Sequence, residues 1–357
     1  MSEIKVDTVV DAAGTGKPNF SNGVTMNGAA LSTLNLGQYT ASSSEPSSPE
    51  NGAIWWDTTN EKIFIYIAGE WKETIGISAG LAWGGARAVF NYGSSSNDVS
   101  FGFDYITIAS TGNATDFGSM NHSSTRSRCG TVSSQSRGVF AGGAHNTSSM
   151  EYITPSTLGN GTSFGGLSGD GSAATDLAGA GNGTRGIFAG GYRDGASGSD
   201  VINNLEYITI ATTGNSTDFG DLSTVRIGMG GASDATRALF IGGRSGSTNQ
   251  NVIEYVTIAS TGNATDFGDT TVARHGIAAT SDETRSVAAG GIQPWPSGGN
   301  YIEYVTTQTT GNATDFGDLT LGRDMGGNSA ASDGTYAVFI MGGTSSNPYT
   351  SNVIDYV

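Results

Sequence analysis

Residues 253–276 read IEYVTIASTGNATDFGDTTVARHG, and the chain repeats that wording on both sides. LEYITIATTGNSTDFGDLSTVRIG begins at Leu205, IEYVTTQTTGNATDFGDLTLGRDM at Ile302, and the shorter FDYITIASTGNATDFGSM at Phe103. Repetition at a fixed period is an architectural signal and has to be read before any catalytic motif. An apolar segment running into glycine sets the phase: it ends at Gly93, Gly143, Gly191, Gly243, Gly291 and Gly343, at intervals of 50, 48, 52, 48 and 52 residues. A tyrosine follows each, at positions 105, 152, 207, 255, 304 and 356. An arginine opens the next unit at Arg126, Arg226, Arg274 and Arg323.

One unit therefore has four pieces. A small-residue segment such as GMGGAS comes first, then an apolar one such as RALFIGG. The third, NVIEYVTI, alternates β-branched and aromatic residues, and the fourth, ATDFGDL, follows a Gly-Asn step. Period-two alternation marks the third as a strand. Gly-Asn is read as a tight hairpin turn, and SDATR and SDETR as turns between the first and second pieces. Four antiparallel strands in about 50 residues make the blade of a β-propeller. Where inner strands converge on one axis only small residues fit, and CGTVSS, GMGGAS and GIAATS meet that demand. The Phe of each TDFG should cover the outer edge of a blade–blade contact, and the Asp before it should cap its turn.

Composition agrees. The chain has 357 residues, 56 of them Gly and only 13 % charged, with a hydrophobic fraction of 36 % that suits thin stacked sheets better than one large core. A net charge of −16 opposes phosphate backbones and anionic membrane surfaces, so neither nucleic-acid binding nor membrane insertion is expected. No apolar run approaches the roughly 18 residues of a span. The opening MSEIKVDTVV lacks signal-peptide features, and Cys129 is the only cysteine, so synthesis in a cytoplasm is expected.

The unit resembles kelch repeats, in which a strand ending in Gly-Gly is followed by a Tyr, an outer-strand aromatic and an Arg. Here these are Gly242 and Gly243, Tyr255, Phe267 and Arg274, with Phe where that family has Trp. The resemblance covers residues 79–357 and implies an all-β, six-bladed kelch-like propeller. It says almost nothing about function. Five units are complete and the sixth stops one strand short. GEWKETIG, residues 69–76, carries an aromatic where an outer strand wants one, so residues 71–75 are expected to complete the sixth blade and remove a sheet edge.

The first 78 residues divide into an extended β-rich segment at 1–37, a Ser/Pro linker at 38–51 and a small meander at 52–78, whose last strand would be the closing one. The pattern GAIWWD…IFIY…GEWK resembles a short module of tail-fibre and other virion proteins of tailed bacteriophages. IKVDTVVDAAGTGKPNF…NGVTMNG and the YITIASTGNATDFGDL wording are similar to structural proteins of phages of marine cyanobacteria. That resemblance implies a virion protein, made in the host bacterial cytoplasm and attached to other virion proteins through residues 1–37. Ile4, Val6, Val9, Phe20, Val24 and Met26 cannot bury one another in so short a segment, so a homo-oligomer is expected, a trimer first.

Catalytic signals are weak. AGTGKP has Asp11 and Pro18 where a phosphate loop needs Gly and Ser or Thr. DFG recurs four times with no catalytic-loop partner and reads as a turn. His122, His145 and His275 lie in different repeats with no metal-ligand spacing, and each reads as a loop or blade-edge residue. No cofactor and no enzyme activity are expected. What varies between units is the segment joining the second and third strands, all on one face. It holds His145, Tyr192, Arg193, Asp194, Arg244, Trp295 and Tyr349, and aromatics with Arg on such loops suit recognition. A tail-fibre or tail-tip adhesin for a host-surface glycan or envelope protein is the leading expectation. A capsid or neck decoration protein comes second and a glycan-degrading propeller enzyme third.

Overall fold

The computed structural model describes residues 24–26, 29–31, 39–49, 53–57, 62–67, 69–73, 87–92, 102–121, 128–143, 148–168, 174–195, 198–293, 298–326, 329–344 and 351–357. All regular structure among them is β. The chain forms two units, Met1–Ala79 and Gly80–Val357.

In the first unit Tyr39–Ser42 lies parallel to Ile54–Asp57, which continues antiparallel into Lys62–Ile67 and Glu70–Glu73. Trp55 is buried, stacked on Phe64 at 4.9 Å with Trp71 edge-on at 5.7 Å. One expectation changes here. Residues 38–51 are not simply a linker, because Tyr39–Ser42 adds a fourth strand to the meander. Residues 74 and 75 of the expected closing strand lie outside the described residues. Trp71 sits in Glu70–Glu73, paired with Lys62–Ile67, and its ring meets Tyr66 at 5.3 Å. The Gly69 turn, at φ 89°, brings these aromatics together locally. Of residues 1–37, Val24–Met26 and Ala29–Leu31 form a hairpin, and the remainder lies outside the described residues.

The second unit is the six-bladed propeller. Blades two to five each have four antiparallel strands in sequence order from the axis outward. In blade four these are Gly230–Ser233, Arg237–Ile241, Val252–Thr257 and Thr265–Asp269. Blade one shows its second to fourth strands, Arg87–Tyr92, Gly102–Thr107 and Thr115–Ser119. Blade six has Ala330–Ser332, Ala337–Ile340 and Ile354–Tyr356. Each blade–blade contact has its own buried cluster. Ala178, Ile187, Leu205 and Phe219 of blade three meet Met229, Phe240 and Val256 of blade four, for instance. The ring closes where Ala88, Phe90 and Ile106 pack on Val338 and Ile340.

The small-residue rule at the axis holds. A Cβ on Gly179 would lie 2.1 Å from the Thr131 carbonyl oxygen, and one on Gly231 would lie 2.2 Å from that of Gly179. The inner strands enclose a cavity of about 200 Å³, lined by residues such as Ser133, Gly181, Ser233 and Ser281.

The repeated words have tertiary reasons that differ from the local ones expected. TGN is not a two-residue turn. It lies within a longer connection, 258–264 in blade four, placed against the outer strand of the preceding blade. Gly262 and Ala264 donate backbone N–H bonds to Phe219 and Asp221 oxygens at 2.7 and 2.8 Å, and Asn263 Oδ1 accepts from the Asp221 N–H at 3.1 Å. Gly220 faces the Gly262 carbonyl oxygen so closely that a Cβ would lie 2.4 Å from it. The Asp of TDFG does not cap a turn. Asp266 is exposed and stands opposite Glu254 beside a β-bulge that drives Phe267 inward, while Asp234 and Asp282 cap the SDATR and SDETR turns. Phe267 meets Tyr255 edge-on at 6.0 Å, and Arg237 lies 4.5 Å over that tyrosine ring.

Blade six has no described fourth strand, and the consequence is visible next door. Phe117, Phe164, Phe219 and Phe267 are 2–3 % exposed, but Phe316 of blade five is 40 % exposed and Tyr356 60 %.

Candidate functional site

Three of the arginines that open a unit, Arg226, Arg274 and Arg323, serve the frame, and Arg126 lies outside the described residues. Arg226 is fully buried, ion-paired with Glu254, and donates to the Gly242 and Val252 carbonyls at 2.8 and 3.0 Å. Arg274 meets Glu303 at 2.6 Å, and Arg323 pairs with Asp355. Each pair ties the segment entering a blade to that blade's third strand. Blade three departs from this. Ala174 stands where the arginine would be, and opposite it in the ladder is Arg193, whose guanidinium reaches to 3.8 Å from Glu206. Arg193, expected as a recognition residue, thus supplies from the loop the cation its unit lacks.

The other predicted site residues scatter. His145, Trp295 and Tyr349 lie outside the described residues, as does the side chain of Asp194. Tyr192 is half-buried in the strand Tyr192–Gly195, which pairs with Gly198–Val201. Arg244 turns towards the axis and joins a group that the sequence reading did not assemble.

That group sits at the axial mouth on the long-loop face. Successive blades link there by backbone: Asp176 N–H donates to Arg128 O at 2.9 Å, Gly228 to Asp176 O at 3.3 Å, Gly276 to Gly228 O at 2.7 Å and Met325 to Gly276 O at 2.9 Å. The geometry needs left-handed backbone, and Gly228 and Gly276 supply it at φ 63° and 70°. Arg128 and Asp176 hold the same conformation at φ 61° and 58° without being glycine. Non-glycine residues kept at such angles cost of order 1–3 kcal/mol and concentrate at functional sites. Their side chains meet, Arg128 Nη1 to Asp176 Oδ2, at 3.3 Å. Asp324 covers the next step of the ring, its Oδ1 only 1.8 Å from where a Cβ on Gly276 would be.

Arg244 and Asn249 face one another in a short hairpin, and Asn249 Oδ1 lies 2.8 Å from His275 Nδ1. The Asn249 amide is oriented by its Nδ2 donating to Ile292 O at 3.0 Å, so its oxygen accepts the Nδ1 proton of His275. His275 is therefore not a blade-edge residue. Burial, then the Arg244 and Arg128 charges, lower its pKa to about 4. Burial raises Asp176, opposed by Arg128, and raises Asp324, opposed by Arg128 and reinforced by Asp176. Only part of this group was legible. Aligning the units puts Arg128 and Asp176 in register with Gly228 and Gly276, a break in a glycine column, but the meeting of Arg244, His275 and Asp324 across blades four to six has no local sequence signal.

Acidification should register on His275. Its folded form prefers the neutral ring, with a pKa near 4 against an ordinary 6.5, so this contribution to stability is complete above pH 6.5 and is lost as pH falls towards 4. Asp176 and Asp324, shifted up, act in the opposite sense over the carboxylate range. Comparison with His275→Gln isolates the histidine: between pH 7 and 4 the melting temperature of the variant should fall less than that of the wild-type chain. An imidazole resonance titrating near 6.5 would refute the assignment.

Among the described residues no group of three His, Cys, Asp or Glu side chains could hold a metal ion. The structure defines the class, a six-bladed β-propeller carrying a charged axial cluster. No protein-family model matches the chain, and no curated protein matches it significantly.

Proposed function

We propose that this chain is a recognition protein of a tailed-phage virion, an adhesin that presents its propeller to a host-surface glycan and performs no chemistry on it. The observation that carries the reading is the contrast between the two kinds of sequence in one unit. Most frame residues recur from blade to blade with matching contacts, whereas the connections between second and third strands differ in sequence in every blade. Rigid scaffolds carrying diverse loops suit binding. Residues 1–37 then serve for attachment to other virion proteins, in an oligomer that we propose to be a trimer.

Purified full-length protein should compete with virions for adsorption to host cells and leave the cell-surface polysaccharide at its original chain length. Trp295→Ala, in the 294–296 Pro-Trp-Pro loop, should weaken that competition by about 1–3 kcal/mol of binding free energy if the indole is an anchor. Protein that neither binds host cells nor blocks adsorption would overturn the adhesin reading, and shortened polysaccharide would favour the enzyme.

A further inference from the structure

We propose that the axial cluster is a binding site for a neutral sugar, held through adjacent hydroxyl groups by Arg244, His275 and Asp324, with Arg128 and Asp176 fixing the floor. The inference rests on the recognition reading and names the ligand chemistry of one site within it.

The polar atoms at the mouth define the ligand. Arg244 is half-buried, and its Nε is fully buried with no hydrogen-bond partner. Thr175 Oγ1, next to Asp176 in the chain, is likewise buried and without a partner. The frame arginines Arg226 and Arg323 also leave Nε unpartnered, so the buried Nε is not the ligand's contact, and the terminal amino groups of the Arg244 guanidinium are the donors offered to a ligand. His275 commits Nδ1–H to Asn249, so Nε2 of the neutral ring carries an acceptor lone pair. The carboxyl of Asp324, over Gly276, accepts from the Gly326 N–H and keeps further lone pairs as a second acceptor.

Charge then selects among ligands. The cluster holds two guanidinium groups and two carboxyl groups, and the Arg128–Asp176 pair already satisfies one of each. An anion entering towards Arg244 would meet Asp324, and a cation entering towards Asp324 would meet Arg244. A hydroxyl accepts from one and donates to the other, and two vicinal hydroxyls can do both at once. Metal binding lacks the ligand set. An uncharged polyhydroxylated ring is the chemistry that meets every group without an uncompensated charge.

The test uses the full chain and ligand-observed saturation-transfer NMR. The probes are methyl glycosides of glucose, mannose and galactose, with glucuronate and glucosamine as the charged alternatives. At least one neutral glycoside should bind, shift the His275 imidazole resonance, and lose affinity at least tenfold in Arg244→Ala. Arg244 pairs with Ile227 and Asn249 through its backbone, which truncation keeps, so a cooperative melt and an unchanged far-UV spectrum of the variant separate lost binding from lost fold. Asp324→Asn, which keeps the shape and removes the charge, should weaken the neutral glycoside without creating preference for glucosamine. Preference for glucuronate or glucosamine would overturn the assignment, and so would binding that leaves His275 unshifted, or no binding by any probe. Adsorption assays keep the two proposals apart. If Arg244→Ala protein competes for host cells like wild type while no neutral glycoside binds, the axial site fails and the adhesin reading stands.

Discussion

Glu254→Ala will cost the protein about 3–5 kcal/mol, the range for removing one partner of a buried ion pair. Arg226 is 1 % exposed, and without Glu254 its guanidinium keeps hydrogen bonds to the Gly242 and Val252 carbonyls but has no counter-charge. Its pKa is already lowered, by burial first, with Glu254 opposing the shift. Glu254 Oε1 also accepts the Ser223 N–H at 3.0 Å, so that backbone donor is orphaned as well. Joint replacement, Arg226→Met with Glu254→Leu, should be less damaging than Glu254→Ala because no buried charge remains. It should not return to wild type, because the Ser223 donor is still unpaired. Chemical denaturation of the three proteins checks this. A single variant within 1 kcal/mol of wild type would mean that water reaches the pair and that it does not tie blade three's exit to blade four.

Gly268→Ala should be far more damaging than Gly317→Ala, although the two glycines occupy the same place in TDFG. Their backbones match, at φ 146° and 142°, so the conformational cost of adding a side chain is common to both. The surroundings differ. A Cβ on Gly268 would lie 2.3 Å from the Gly311 carbonyl oxygen of the next blade, whereas one on Gly317 would meet nothing within 4 Å. Relief at Gly268 requires blades four and five to part, straining the Gly311 and Ala313 N–H bonds to Phe267 and Asp269, both 2.7–2.8 Å. Overpacking of this kind costs about 1–3 kcal/mol and can exceed it where backbone must move. The difference between the two melting temperatures isolates the blade joint. Equal destabilisation would place the cost in backbone conformation alone.

Those two contrasts show why the same word need not have the same meaning in each repeat. TGNATDFGD is written identically in blades four and five, at 261–269 and 310–318, and as strands the copies were readable from alternation and glycine spacing. What the glycine and asparagine are for was not readable, because their partners belong to the adjacent blade, some 40–50 residues along the chain. The arginine column was likewise visible as a marker, and its carboxylate partner appeared only when the third strand was placed beside it. The frame contact of Arg193 was hidden for the same reason. In sequence it is a loop cation, and in space it stands opposite Ala174 and leans on Glu206.

By itself the sequence determined the repeat, the four-strand unit, the small residues at the axis and the loop face, since each follows from periodicity or size along a few neighbouring residues. Tertiary structure decided where Trp71 pairs, why Phe316 is uncovered, and that Arg128, Asp176, Arg244, His275 and Asp324 meet at one mouth. A propeller brings residues from different blades to a common axis, so their proximity is set by ring closure and not by separation along the chain.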